Sequence, residues 1–102
     1  MALFGFNKQK VLANAEKYVQ QGKLQNAIAE YEKILKADPK DLTVNNTVGD
    51  LYARLGDNDK AIECFKSVGD AYASQGFTVK AIAMYKKLTK IKPTLESVLR
   101  LA

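Results

Sequence analysis

"DKAIECFKSVGDAYASQG", residues 59–76, carries two signatures with no turn between them. Its first half, Ala61-Ile62-x-x-Phe65, closes a pattern that its second half, Tyr72-x-x-x-Gly76, opens again. The full pattern is Tyr, three residues, Gly, four residues, Ala-Ile, two residues, Tyr or Phe, and it occurs three times. The copies are Tyr18, Gly22, Ala27, Ile28, Tyr31; Tyr52, Gly56, Ala61, Ile62, Phe65; and Tyr72, Gly76, Ala81, Ile82, Tyr85. Such self-similarity marks a stack of like units, each burying its apolar face against the next.

The spacing is that of a helical hairpin. Val11, Ala15, Tyr18 and Val19 recur at steps of three and four, as an amphipathic helix requires, and Gly22 then supplies a position able to take φ > 0. Along the following helix Leu24, Ala27, Ile28, Tyr31, Ile34 and Leu35 keep the period, the small Ala27 letting two helices approach. Asp38-Pro39 ends it, because proline disfavours the α conformation in the residue before it. Gly22 to Gly56 spans 34 residues, but Gly56 to Gly76 only 20. The missing stretch would have held the end of one helix, a proline and the start of the next, so one composite helix must serve two hairpins. Five main helices are predicted, about 8–21, 24–37, 41–55, 58–75 and 78–91, with a short further segment from Thr94. Gly69, inside the composite helix, costs about 1 kcal/mol relative to Ala and is tolerated where it permits a close helix contact.

These residues resemble the tetratricopeptide repeat, a helix–turn–helix of 34 residues with Gly-x-x-Tyr, Ala-x-x-x-Phe and a closing proline. Gly49-x-x-Tyr52 and Gly69-x-x-Tyr72 match the first element, Ala15-x-x-Tyr18 replaces its glycine by alanine, and Pro39 and Pro93 stand at the closing position. The Trp and Leu that open the first helix in the family are Val11 and Asn14 in the first copy, Asn45 and Val48 in the second. The resemblance implies an all-α fold, a right-handed α-solenoid of antiparallel hairpins forming a single domain over residues 1–102. Its repeats would be 8–41, 42–75 and 62–95, the last two sharing a helix. The closing segment, with Leu95, Val98, Leu99 and Ala102 on one face, reads as the opening of a further repeat in a longer protein rather than as a cover. Its exposed end would invite self-association.

The rest of the sequence narrows the function. Histidine and tryptophan are absent and Cys64 is the one cysteine, so neither a disulfide nor an imidazole-activated nucleophile is expected. No enzyme activity, metal or cofactor is predicted. The acid-rich run "GDNDKAIE" at 56–63 lacks the glycine and distant glutamate of a calcium loop; there Gly56 ends a helix and Asp57, Asn58 or Asp59 caps the next. Leu3, Phe4 and Phe6 form an apolar clump without the basic residues of a signal peptide, and no run is long enough to span a membrane. A cytoplasmic location is expected.

Charge is banded along the chain, +3 over residues 1–40, −3 over 41–75 and +5 over 76–102, for a net +5. In the family the first helices of successive hairpins line a concave groove. Carried onto this chain, the resemblance implies a partner-binding groove of Gln9, Leu12, Glu16 and Val19 on the first helix. The third helix adds Thr43, Asn46, Asp50 and Ala53, and the composite helix adds Glu63, Lys66, Asp70 and Ala73. Glu16, Asp50 and Asp70 then make an acidic row. The Lys/Asn/Arg clamp by which family members grip a C-terminal carboxylate is not formed by Leu12, Glu16, Asn46, Asp50, Lys66 and Asp70. The expected partner is a protein or peptide segment of basic or amphipathic character, bound by a scaffold, rather than nucleic acid or a membrane. The rival reading is attachment to nucleic acid or an anionic surface through Lys80, Lys86, Lys87, Lys90 and Lys92.

Overall fold

The computed structural model describes residues 6–91. They form five α-helices and no strand: α1 (Lys8–Gln20), α2 (Leu24–Ala37), α3 (Leu42–Leu55), α4 (Asn58–Ser74) and α5 (Thr78–Ile91). Leu3, Phe4, Lys92, Pro93 and the segment expected from Thr94 lie outside the described residues. The chain divides after Val44 into two compact units, Met1–Val44 and Asn45–Ala102.

In the first unit α1 and α2 pack on each other as an antiparallel hairpin. Ala15 and Ala27 are fully buried, and Ile28, Tyr31 and Ile34 fill the remaining core. Gly22 turns the chain at φ +77, its N–H donating to the Val19 carbonyl at 3.0 Å and the Lys23 N–H to the Tyr18 carbonyl at 2.9 Å. This pair of bonds satisfies carbonyls that a helix end otherwise leaves open. The same pair recurs where α3 and α4 end, with Asp57 donating to Tyr52 and Phe77 to Tyr72. Helix α2 stops at Ala37, and Asp38, before Pro39, takes φ −143 and ψ 88.

Asp41 stands outside α3, where a helical residue is expected, because its carboxylate accepts the Val44 N–H at 3.1 Å and the Lys8 ammonium at 2.8 Å. Partial burial works to raise the Asp41 pKa, but the bonds from Lys8 and from the Val44 and Thr43 amides together outweigh it and hold the carboxyl below its ordinary value. A depressed folded-state value means stability that is present above the unfolded carboxyl's pKa and lost as pH falls through the folded one. Asp41→Asn keeps an oxygen for the cap and removes the charge. Amide exchange in α1 and α2 is expected to be faster in Asp41→Asn at neutral pH, and the gap from the wild type to close as the pH falls below the carboxylate range. A gap that persists in acid would refute this account of Asp41.

The second unit contains α3 from Asn45 onward, α4 and α5. Helix α4 is unbroken between Phe65 and Tyr72, with Ala61, Phe65, Val68 and Gly69 buried, so one helix does carry both halves of the opening stretch. A Cβ placed on Gly49 would lie 2.7 Å from Cε1 of Phe65, and one on Gly69 would lie 2.7 Å from Cε1 of Tyr85. Glycine of α3 thus receives an aromatic ring from α4, and glycine of α4 receives one from α5. The helix-propensity cost of Gly69 is offset by this close approach. Asp57 caps α4, accepting the Lys60 N–H at 3.3 Å.

Candidate functional site

The predicted groove residues fall on both units. On α1, Gln9 and Glu16 are exposed, while Leu12 and Val19 are half-buried. Tyr31 behind them has its phenol pKa raised, first by burial and then by the Glu16 charge. This face is apolar at two steps and acidic at one.

In the second unit the groove positions of α3 are Asn46, half-buried, Asp50, exposed, and Ala53, half-buried. On α4, Glu63, Lys66, Asp70 and Ala73 are all exposed. Neither acid stands alone. Lys87 of α5 crosses to α3, its ammonium donating to Asn46 Oδ1 at 2.8 Å and to the two Asp50 oxygens at 3.0 and 3.3 Å. The same nitrogen lies 5.1 Å from the centre of the Phe65 ring. Asp70 accepts the Tyr85 hydroxyl at 2.5 Å and faces Lys66, one helical turn earlier, at 3.9 Å. The Lys66–Asp70 pair is half in water and adds little stability. Lys87, by contrast, is held by two acceptors and a ring on two other helices, which gives its ammonium a defined place.

Lys87 therefore belongs with Asn46 and Asp50 rather than on an open basic wall. Of the other lysines of the C-terminal third, Lys86 and Lys90 are exposed, and Lys80 lies 5.5 Å over the Tyr72 ring and 5.3 Å over Phe77. Cys64 is half-buried with its Cβ against the Gly49 position. Among the described residues no group of three His, Cys, Asp or Glu could hold a metal ion, and no helix is long and apolar enough to cross a membrane.

The family model described as tetratricopeptide repeat matches residues 18–83. No curated protein matches the sequence. Among solved structures, the first such repeat domain of Spaghetti (RPAP3), bound to the HSP90 peptide SRMEEVD, is 21% identical with a TM-score of 0.53. That match covers 92% of this chain and 86% of the other. The crystal structure of MamA is 21% identical with a TM-score of 0.52, covering 93% of this chain and 64% of the other. At these identities the likeness is one of fold.

Proposed function

This chain belongs to the tetratricopeptide repeat family, and from that membership we infer that it is a protein-interaction module that holds a basic or amphipathic segment of a partner. The receiving face in the second unit is Asn46, Asp50 and Ala53 of α3 with Lys66, Asp70 and Ala73 of α4. The first unit offers a face of its own, Gln9, Leu12, Glu16 and Val19. One observation carries the reading: Asn46 and Asp50 already hold an ammonium, that of Lys87, at hydrogen-bond distance. A lysine or arginine of a partner has the same chemistry. The Asp50 side chain keeps 50% of its surface exposed, so a second cation reaches it without Lys87 leaving. Ala53 and Ala73, one step further along each helix, leave room for apolar side chains of the same segment. The peptide carried by the RPAP3 domain is acidic in sequence, SRMEEVD. Asp50 and Asp70 would repel such a peptide, so the preferred segment here differs in charge.

The test begins with partners captured from cell extract and identified by mass spectrometry. Their affinity is then measured for the wild type and for the double variant Asp50→Lys, Asp70→Lys. Like charges placed opposite a basic segment should weaken binding roughly tenfold or more, with far-UV circular dichroism unchanged. Equal affinity in a folded double variant removes these residues from the interface.

A further inference from the structure

Three turns of this chain follow Tyr-x-x-x-Gly; the first, with Lys23 after Gly22, has no side-chain cap, and the second and third can be compared position by position. After Gly56 comes Asp57-Asn58-Asp59-Lys60, and after Gly76 comes Phe77-Thr78-Val79-Lys80. The backbones agree: Asp57 N–H donates to Tyr52 at 2.9 Å and Phe77 N–H to Tyr72 at 2.8 Å. The lysines agree as well, Lys60 lying 5.4 Å over the Tyr52 ring and Lys80 5.5 Å over the Tyr72 ring. The chemistry between them does not. Asp57 caps its helix, whereas Phe77 has no oxygen with which to cap α5. Phe77 packs edge-on to Tyr72, centroids 6.2 Å apart, yet remains 50% exposed. Val79 stands where the earlier turn has Asp59, and is 82% exposed.

Two apolar side chains, Phe77 and Val79, are thus left half or largely in water at positions where the second turn has carboxylates and the first has Lys23 and Gln25. Departures of this kind gather at functional sites. The charge around them has one sign: from Gly76 to Ile91 there are four lysines and no acid. Lys87 is engaged with Asp50, while Lys80, Lys86 and Lys90 are exposed. Val79, Ala83, Lys86 and Lys90 follow one another at helical steps along one exposed face of α5. Every residue from Ala73 to Lys80 is exposed, so the turn projects.

We propose that the α4–α5 turn and the exposed face of α5 dock on an anionic lipid bilayer, Phe77 and Val79 entering the headgroup layer and Lys80, Lys86 and Lys90 lying over the lipid phosphates. A bilayer interface takes up apolar and cationic groups together. A nucleic-acid backbone would engage the lysines and leave Val79 in water. A projecting turn would require a matching apolar pocket in a folded protein, whereas the deformable headgroup layer requires none.

The experiment is co-sedimentation of the whole chain with phosphatidylcholine vesicles, with and without phosphatidylserine, across a salt series. Binding is expected only with phosphatidylserine and should weaken as salt rises. Phe77→Asp recreates the cap found at Asp57, so it should keep its helix content while losing roughly tenfold or more of its vesicle partition. The pair Lys86→Glu, Lys90→Glu should lose as much, and Lys17→Glu on α1 should lose little. Three results would overturn the proposal: no binding to either vesicle; binding that a folded Phe77→Asp leaves intact; or retention on duplex DNA that depends on Lys86 and Lys90 and exceeds binding to lipid. None of these touches Asp50 or Asp70, so the protein-binding reading is tested separately.

Discussion

Phe65→Ala is expected to lower the unfolding free energy by about 3–5 kcal/mol, the cost of truncating a fully enclosed aromatic ring. Phe65 is 2% exposed and among the largest fully buried side chains of the chain. Its ring fills the space left by Gly49 and lies under the Lys87 ammonium. Removing it opens a cavity where α3, α4 and α5 all contribute atoms, and no neighbouring glycine can fill it. A protein of this length has roughly 5–15 kcal/mol in total, so the variant should unfold at a much lower urea concentration. Ile62→Ala, three residues earlier on the same helix but only half-buried, should cost less. Phe65→Ala should also loosen Lys87, which loses its platform while keeping Asn46 and Asp50. A wild-type urea midpoint would mean that Phe65 does not hold these helices together.

Much of this arrangement is legible in the sequence because it is local. The helix limits expected from periodicity, Gly22 and Pro39 agree with α1 to α5 to within a residue. Asp57, one of three candidates for capping α4, is the one that does so, since it directly precedes the first helical residue. The shared helix follows from counting residues between glycines, and the tolerance of Gly69 follows from the aromatic ring that occupies its missing side chain. Lys87 shows where local reasoning stops. Grouped by type with Lys80, Lys86 and Lys90, it looks like part of a solvated wall. On a helix, however, Lys86 lies in line with Val79, Ala83 and Lys90, whereas Lys87 lies in line with Lys80 and the buried Met84. That angular offset was readable. Which helix lay opposite was not, because periodicity assigns residues to faces and leaves the pairing of faces to packing.

The second large effect concerns the glycines that let those faces meet. In an exposed helix interior Gly→Ala gains about 1 kcal/mol, but Gly69→Ala is expected to destabilise this chain. The new methyl would lie 2.7 Å from Cε1, 3.1 Å from Cδ1 and 3.2 Å from Cζ of Tyr85. Tyr85 cannot readily swing aside, being buried and bonded through its hydroxyl to Asp70. Overpacking of this kind costs about 1–3 kcal/mol, enough to exceed the propensity gain. In a Tyr85→Leu background the methyl has room, so the same substitution should become neutral or favourable. The resulting coupling energy, about 1–3 kcal/mol by a double-mutant cycle in urea, measures the contact itself. Gly49→Ala should cost more than Gly69→Ala. There the second obstruction is Cβ of Cys64 at 2.9 Å, an atom fixed to the backbone of α4 that no side-chain rotation can move. Relief would require α3 and α4 to separate, carrying Asn46 and Asp50 away from Lys87. If either glycine variant proves more stable than the wild type, the helices do not approach as closely as the shared-helix packing demands.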